Sequence, residues 1–542
     1  MEGRVLQSVA PPPRATHAPQ VIVPQAELLQ PVPPTLATQP GAQRRQLLAQ
    51  RQLAAVLVLV AFCAYGYFVQ FPGWNQYSRL ALMMSIVHRG TLTIDAYTDL
   101  TGDKARYGDH DYSDKAIGTA LLGTPVYGLV AWLIGGEPFA LQEGPRYPLY
   151  LVTLVIVALP SAFMCAALFS VLFSICGPRW AFGLTVLYAF GTLAFPFSMV
   201  LFGHQGAATF AFLAFALLIR VRQGATAASL PLLAGGSAAL AVLFDYPALL
   251  IAGALFLYLA SLRRWRALVA FSLGAVPGAL VLAAYNAALF GSPLRFGYQY
   301  LSAPEFAPMR RGLFGITLPQ VSALGEILIG PRGLLAGSPF LILAPLGWWL
   351  MWRERSWRAE GVLCATVCLA TLLWNAGYYL PLGGETPGPR FLVPALPFLF
   401  VPLAFLVRLP ALYARLCALV LATLGSWSVA FFFIVSATNP LAPAALANPL
   451  GDYWLARWGR EELLVNAATL RFGWEGYQSL LPLVVILLLA VETALTFLSD
   501  PEGGWRGWRR YRLGLLFLVA VVIVMPLNPL DIGAIPAFFR PN

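Results

Sequence analysis

The sequence predicts an all-α polytopic membrane protein, with about thirteen transmembrane helices and interfacial helices in a large first outer loop. Three observations point there. Hydrophobic residues make up 59% of the 542-residue chain and charged residues 11%, against about 25% charged in an ordinary soluble domain. Apolar runs recur along the whole length, each long enough to cross a hydrocarbon core of about 30 Å. The formal charge of +11 sits mostly in short Arg clusters between those runs. That is the pattern of cytoplasmic loops, not of a nucleic-acid surface.

Residues 1–47 read as a disordered cytoplasmic tail, with nine Pro among the first 43 positions and no periodic pattern. Because this polar stretch precedes the first apolar run, no secretory signal is expected. Arg44, Arg45 and Arg51 stand before a first span near 52–71 and should hold the N-terminus inside. The first outer loop, 72–149, opens with WNQYSRLALMMSIVHRG. There Tyr77, Leu80, Ala81, Met84 and Val87 form one helical stripe, with Asn75, Ser78, Arg79, Ser85 and Arg89 largely opposite. This predicts an amphipathic helix lying on the membrane.

The apolar segment 115–136 decides the threading. If it crossed, every later Arg cluster would move to the outer face, against the positive-inside rule. Gly118, Gly123, Pro125, Gly128, Gly135 and Gly136 also make it a poor continuous span. It is therefore kept on the outer surface. Further spans follow near 150–175, 180–198, 206–220, 228–244, 246–262, 268–288, 334–352, 359–379, 391–407, 414–437, 479–498 and 513–530. The chain divides into the tail, a membrane core over 48–437, an outer loop over 438–478 and C-terminal membrane helices over 479–542. Further outer loops fall at 289–333 and 380–390. A protein with its large polar loops on one side is expected to work on that side.

The six Cys lie in or beside apolar spans, so they read as small buried hydrophobes rather than a disulfide framework. The first loop concentrates the chemistry. TGDKARYGDHDYSDKAIG (101–118) repeats Asp-Lys-Ala and holds Lys104 and Lys115, the only lysines of the chain. Transfer at a membrane surface needs a carboxylate to accept a proton and a cation to stabilise a departing phosphate. Asp95, Asp103 and Asp114 are the candidate bases, and Tyr112 is a candidate substrate contact. Asp109-His110-Asp111 could hold a divalent metal, but a polar turn is the favoured reading, since a metal needs more convergent ligands than one tripeptide supplies. No cofactor is otherwise indicated. Asp245 in LFDYPALL and His204 in FGHQGAA fall at outer helix ends as possible substrate contacts. Arg332 and Arg390 stand among Gly and Pro at the mouths of following spans, where a guanidinium fork can hold a lipid phosphate. The chain has no Walker A loop and no visible inverted repeat of broken helices.

The run NQYSR, GTLTID, TGDKA and YSDKAIG resembles bacterial relatives of the protein O-mannosyltransferases and aminoarabinose lipid A transferases, in the glycosyltransferase-C superfamily. FGSPL (290–294), GPRGLLAGSP (330–339), GPRFLVPALPFL (388–399) and NPLGDYW (448–454) extend the likeness over roughly 72–454. The resemblance implies sugar transfer from a polyprenyl-phosphate donor to a glycan, lipid or protein acceptor, at the outer face of a bacterial plasma membrane. It places Lys115 beside the donor phosphate, with Arg390 as the second phosphate partner; Arg332 and Arg79 are further candidates for that role. It also calls for an acid at the start of the first interfacial helix, where this chain has Asn75 and Gln76. Asn75 is therefore expected to touch substrate without acting as a base. A transporter or flippase of lipid-linked sugars, or a non-catalytic subunit of a glycan assembly complex, are the alternatives.

Overall fold

The computed structural model describes residues 40–70, 72–133, 146–310 and 314–499. The expected tail, the span at 513–530 with its preceding Arg cluster, and part of the first loop lie outside these residues. In chain order the elements are α1 (Pro40–Tyr65), α2 (Trp74–Met84), strands β1 (Lys104–Tyr107) and β2 (His110–Ser113), and α3 (Gly118–Leu133). Then come α4 (Pro148–Phe190), α5 (Gly203–Arg222), α6 (Ser229–Phe244), α7 (Tyr246–Ser261) and α8 (Trp265–Phe290). The last are α9 (Val321–Gly337), α10 (Pro339–Arg353), α11 (Arg355–Ala376), α12 (Arg390–Arg408), α13 (Ala411–Thr438) and α14 (Gly476–Leu498).

Seven of these are long and apolar enough to cross a membrane: α4, α5, α8, α11, α12, α13 and α14. The expected spans at 52–71, 228–244 and 246–262 fall on shorter apolar helices. The span expected at 334–352 falls on a pair of helices that together are apolar and long enough but are bent. The α9–α10 pair bends there by 109°, because Pro339 has no N–H with which to continue the ladder. The spans expected at 150–175 and 180–198 fall mostly within α4. Its 43 residues do not run straight. The Tyr65 hydroxyl lies 3.7 Å from Cys165 Sγ and 3.1 Å from the Ala189 carbonyl. On one straight helix those partners would stand about 36 Å apart. They are equidistant in sequence from Gly177, whose φ of 74° and ψ of 178° break the helix. A side chain would resist that conformation, so the chain reverses there and α4 is a helical hairpin.

The bundle has two distinct ends. Helix α5 starts beside His204 and ends at Arg220 and Arg222; α12 starts at Arg390 and ends at Arg408. At the latter end Arg222 pairs with buried Glu360, which also accepts from the Tyr258 hydroxyl. Arg264 donates to the Val221 carbonyl, and Arg408 pairs with Glu354 at 2.6 Å. The basic loops thus meet at one end. Helix α8 faces outward, with exposed Trp265, Val269, Leu273, Val276 and Leu280 at three- and four-residue intervals, the spacing of a single lipid-facing stripe.

The first loop caps the opposite end. Helix α3 packs beside α2 and exposes Leu129, Trp132 and Leu133. Helix α2 departs from its expected orientation. Ser78, Arg79 and Ser85 are buried rather than wet, because the rest of the loop and the start of α3 fold over the polar face. The all-α expectation omits β1 and β2, an antiparallel pair joined by a two-residue turn. Strands of four residues are too short to declare themselves by alternation.

Candidate functional site

The hairpin brings together the aspartates of the two Asp-Lys-Ala tripeptides. Lys104 pairs in register with Ser113, so the residues just outside the ladder, Asp103 and Asp114, are brought together. Lys115 Nζ sits between them, 2.8 Å from Asp103 and 2.9 Å from Asp114. All three are largely buried, with side-chain exposures of 11%, 3% and 12% for Asp103, Asp114 and Lys115. Ser78 of α2 lies 2.8 Å from the Ser113 hydroxyl and donates to Asp114 at 3.4 Å. Burial pushes the Asp114 carboxyl above its ordinary value; Lys115 opposes this, while the Asp103 charge reinforces it. Lys104 turns elsewhere. It donates to the Thr98 hydroxyl at 2.6 Å and lies 3.6 Å from Asp111.

This cluster forms one wall of a cavity of about 730 Å³. A second wall comes from two helix ends. His204 lies in the first turn of α5, and Asp245 caps the C-terminus of α6. His204 Nδ1 is 2.6 Å from Asp245 Oδ2. The ring is held among Phe197, Phe202 and Phe391, with centroids 5.8, 6.1 and 5.3 Å away. The helices can approach this closely because residue 203 is glycine. A Cβ there would meet the Phe244 carbonyl oxygen at 1.9 Å.

Two guanidinium groups complete the polar lining. Arg79 of α2 donates to Thr119 at 2.9 Å and to the Asn75 carbonyl and side chain. Burial lowers its pKa, opposed by Tyr298, Asp114, Asp245 and Asp103. It therefore lies in the field of both carboxylate clusters. Arg390, at the start of α12, lies against the Phe202 and Phe391 rings. Its buried Nε has no hydrogen-bond partner among the described residues. The cavity thus gathers three cations and three buried carboxylates at the end of the bundle opposite Arg222, Arg264 and Arg408.

The structure therefore brings together Asn75, Arg79, Asp103, Asp114, Lys115, His204, Asp245 and Arg390. Three expected residues lie elsewhere. Asp95 does not line the cavity. It sits against the hairpin, accepting from the Asp111 amide at 2.7 Å and pairing with His110 at 2.7 Å. Burial pushes its carboxyl up, but the bonds from Asp111, His110 and Thr93 outweigh this and hold it below the ordinary range. A half-exposed carboxylate tied to its neighbours in this way is a loop fastener. Tyr112 packs its ring on Phe290, 5.7 Å between centroids. Arg332 is buried, and its guanidinium donates to the carbonyls of Thr386, Ala442, Pro443 and Leu446. Its donors are committed to the backbone rather than to the cavity.

Reasoning from the sequence missed the aromatic wall formed by Tyr298, Tyr378 and Tyr379. Burial raises the Tyr298 phenol well above its ordinary value, leaving it a neutral donor. Its place beside FGSPL in the sequence was the available signal. No group of three or more His, Cys, Asp or Glu suited to a metal occurs among the described residues.

No protein-family model matches the chain, and no curated protein matches it. Among solved structures it is similar to ArnT from Cupriavidus metallidurans bound to undecaprenyl phosphate. That match has 14% identity and a TM-score of 0.47, covering 89% of this chain and 75% of that one. The same ArnT in its apo state matches with a TM-score of 0.46 at 14% identity, over 91% and 76% of the two chains. The oligosaccharyltransferase of Archaeoglobus fulgidus matches in its apo form at 13% identity and a TM-score of 0.41, over 79% of this chain and 58% of that one.

Proposed function

We propose that this chain is a membrane glycosyltransferase, moving a sugar from a polyprenyl-phosphate donor to an acceptor hydroxyl of a glycan, lipid or protein. The observation that carries this reading is the cavity, in which Arg79, Lys115 and Arg390 surround a space also lined by carboxylates and aromatic rings. Such a site offers cations to a phosphate and rings to the faces of a sugar. By the positive-inside rule we read the end that holds Arg222, Arg264 and Arg408 as cytoplasmic, and the cavity as facing the outside of a bacterial plasma membrane, in keeping with the family resemblance. In the reaction the acceptor oxygen bonds to the anomeric carbon as the bond from that carbon to the phosphate oxygen breaks. The lipid phosphate leaves with the electron pair, neutralised by Lys115, Arg79 and Arg390. Asp103 and Asp114 hold Lys115 in place.

The test uses the full-length protein in nanodiscs, with synthetic polyprenyl-phosphate hexoses and pentoses tritiated in the sugar and an envelope extract as acceptor. The expected result is release of label from the lipid together with free polyprenyl phosphate. In sealed proteoliposomes, donors that cross the bilayer chemically intact would instead make the protein a carrier, and a donor neither cleaved nor moved would make it a non-catalytic subunit.

The hairpin cluster also sets a pH dependence. Asp114 is raised above the ordinary carboxylate range, partly by Asp103, so it takes up a proton at a higher pH than a free Asp. Protonation weakens its hold on Lys115. Asp103→Asn removes the repulsion, and Asp114 then stays ionised to lower pH. The loss of donor affinity on acidification, read as Kd, should move to lower pH in Asp103→Asn relative to wild type. A loss that stays in place or moves to higher pH contradicts the assignment.

A further inference from the structure

We infer that the base accepting the acceptor's proton is His204, oriented by Asp245, and that no aspartate of the hairpin has this role. The inference rests on the glycosyltransferase reading of the cavity.

Three features lead to it. First, the hairpin carboxylates are already occupied. Asp103 and Asp114 both contact Lys115 Nζ, at 2.8 and 2.9 Å, and Asp114 also accepts from Ser78. A carboxylate whose charge holds a cation is a poor destination for a proton, since protonation would release the cation that the leaving phosphate needs. Second, the start of α2 offers no base. Asn75 is hydrogen-bonded to Arg79 through both its carbonyl and its side chain. Third, His204 and Asp245 have the geometry of a base and its orienting group. With Asp245 as the acceptor, the proton of the 2.6 Å contact is assigned to Nδ1. The remaining ring nitrogen, Nε2, then holds a lone pair. The three Phe rings around the imidazole fix its plane, and both members of the pair line the cavity.

The charged surroundings of His204 divide the work. Arg390 and Arg79 both act on it electrostatically, so the phosphate partners border the imidazole. The acceptor hydroxyl gives its proton to Nε2 while its oxygen bonds to the anomeric carbon. The phosphate oxygen departs with its electron pair toward Arg390 and Lys115. Imidazolium forms beside Asp245, whose charge stabilises it, and returns the proton to solvent after the product leaves. The catalytic residue is His204; Asp245 is a positioning residue that fixes its tautomer.

The test compares wild type, His204→Asn, Asp245→Asn and the double variant in the nanodisc transfer assay. Asn at 204 places an amide nitrogen close to the position of Nδ1, so it can still donate to Asp245 and spare the fold while removing the base. His204→Asn should lower kcat on the order of 10²–10⁴-fold with donor KM unchanged. Asp245→Asn should also lower kcat, and adding it to His204→Asn should bring little further loss, because the two act as one unit. A merely structural pair would lower thermal stability and leave kcat of the folded fraction intact. A His204→Asn variant that keeps wild-type kcat, or that changes donor KM alone, overturns the inference and leaves the transferase reading standing. A wild type that transfers no sugar overturns both.

Discussion

Replacing Lys115 with Met is expected to lower kcat/KM for transfer by about 10²–10³-fold, the effect of removing one positioned charge-stabilising donor. The same substitution should destabilise the fold by about 3–5 kcal/mol, because it strips the partner from buried charges. Asp103 and Asp114 lie 2.8 and 2.9 Å from the lysine nitrogen, with side-chain exposures of only 11% and 3%, so solvent cannot replace the lost cation. The two effects can be separated. Adding Asp103→Asn and Asp114→Asn to Lys115→Met removes the unpaired charges and should recover most of the thermal midpoint, while transfer stays lost. If Lys115→Met melted and transferred like wild type, Lys115 would have no part in the phosphate site.

Arg332→Met should show the opposite pattern. It is expected to lower stability by about 3–5 kcal/mol, through loss of charge-assisted bonds each worth about 1.5–3 kcal/mol and not additive. The four carbonyls it serves join the stretch before α12 to the chain leaving α13. At a temperature where the variant stays folded, donor KM should equal that of wild type. Arg390→Met is the control, since its guanidinium borders the cavity and its loss should raise donor KM. An unchanged melting profile with a raised donor KM in Arg332→Met would make Arg332 a phosphate ligand after all.

The contrast between these two arginines shows how far the sequence could be read. Both stand among Gly and Pro at the mouth of an apolar helix, and their neighbourhoods look alike as strings. What separates them is a long-range partner set, residues 386 and 442–446 for Arg332, which no local pattern contains. The apolar helices were legible because hydropathy is additive along a run, and α5, α8, α11, α12 and α13 lie where the apolar runs predict them. The break at Pro339 was harder to read, since a proline near a helix start is compatible with continuation. That Lys115 belongs to the charged lining of the cavity could be anticipated from its motif. The hairpin that gives Lys115 two carboxylates could not, because short strands depend on a register set by the surrounding fold. Asp95 shows the same gap. As a sequence position it is one more loop acid, and only the Asp111 amide and His110 reveal that it is already in use.

The hairpin has a thermodynamic consequence. Two four-residue strands are marginal on their own, yet their register sets Asp103 beside Asp114 and Lys115. Opening the ladder would separate these groups, and a ligand that binds only the closed form must favour closure by mass action. At a donor concentration of a hundred times Kd that bias amounts to about 2.7 kcal/mol. Slowed amide exchange over 104–113 would then report occupancy in the absence of any turnover. The repeated tripeptide makes the loop a coincidence detector, whose parts meet only when the ladder forms.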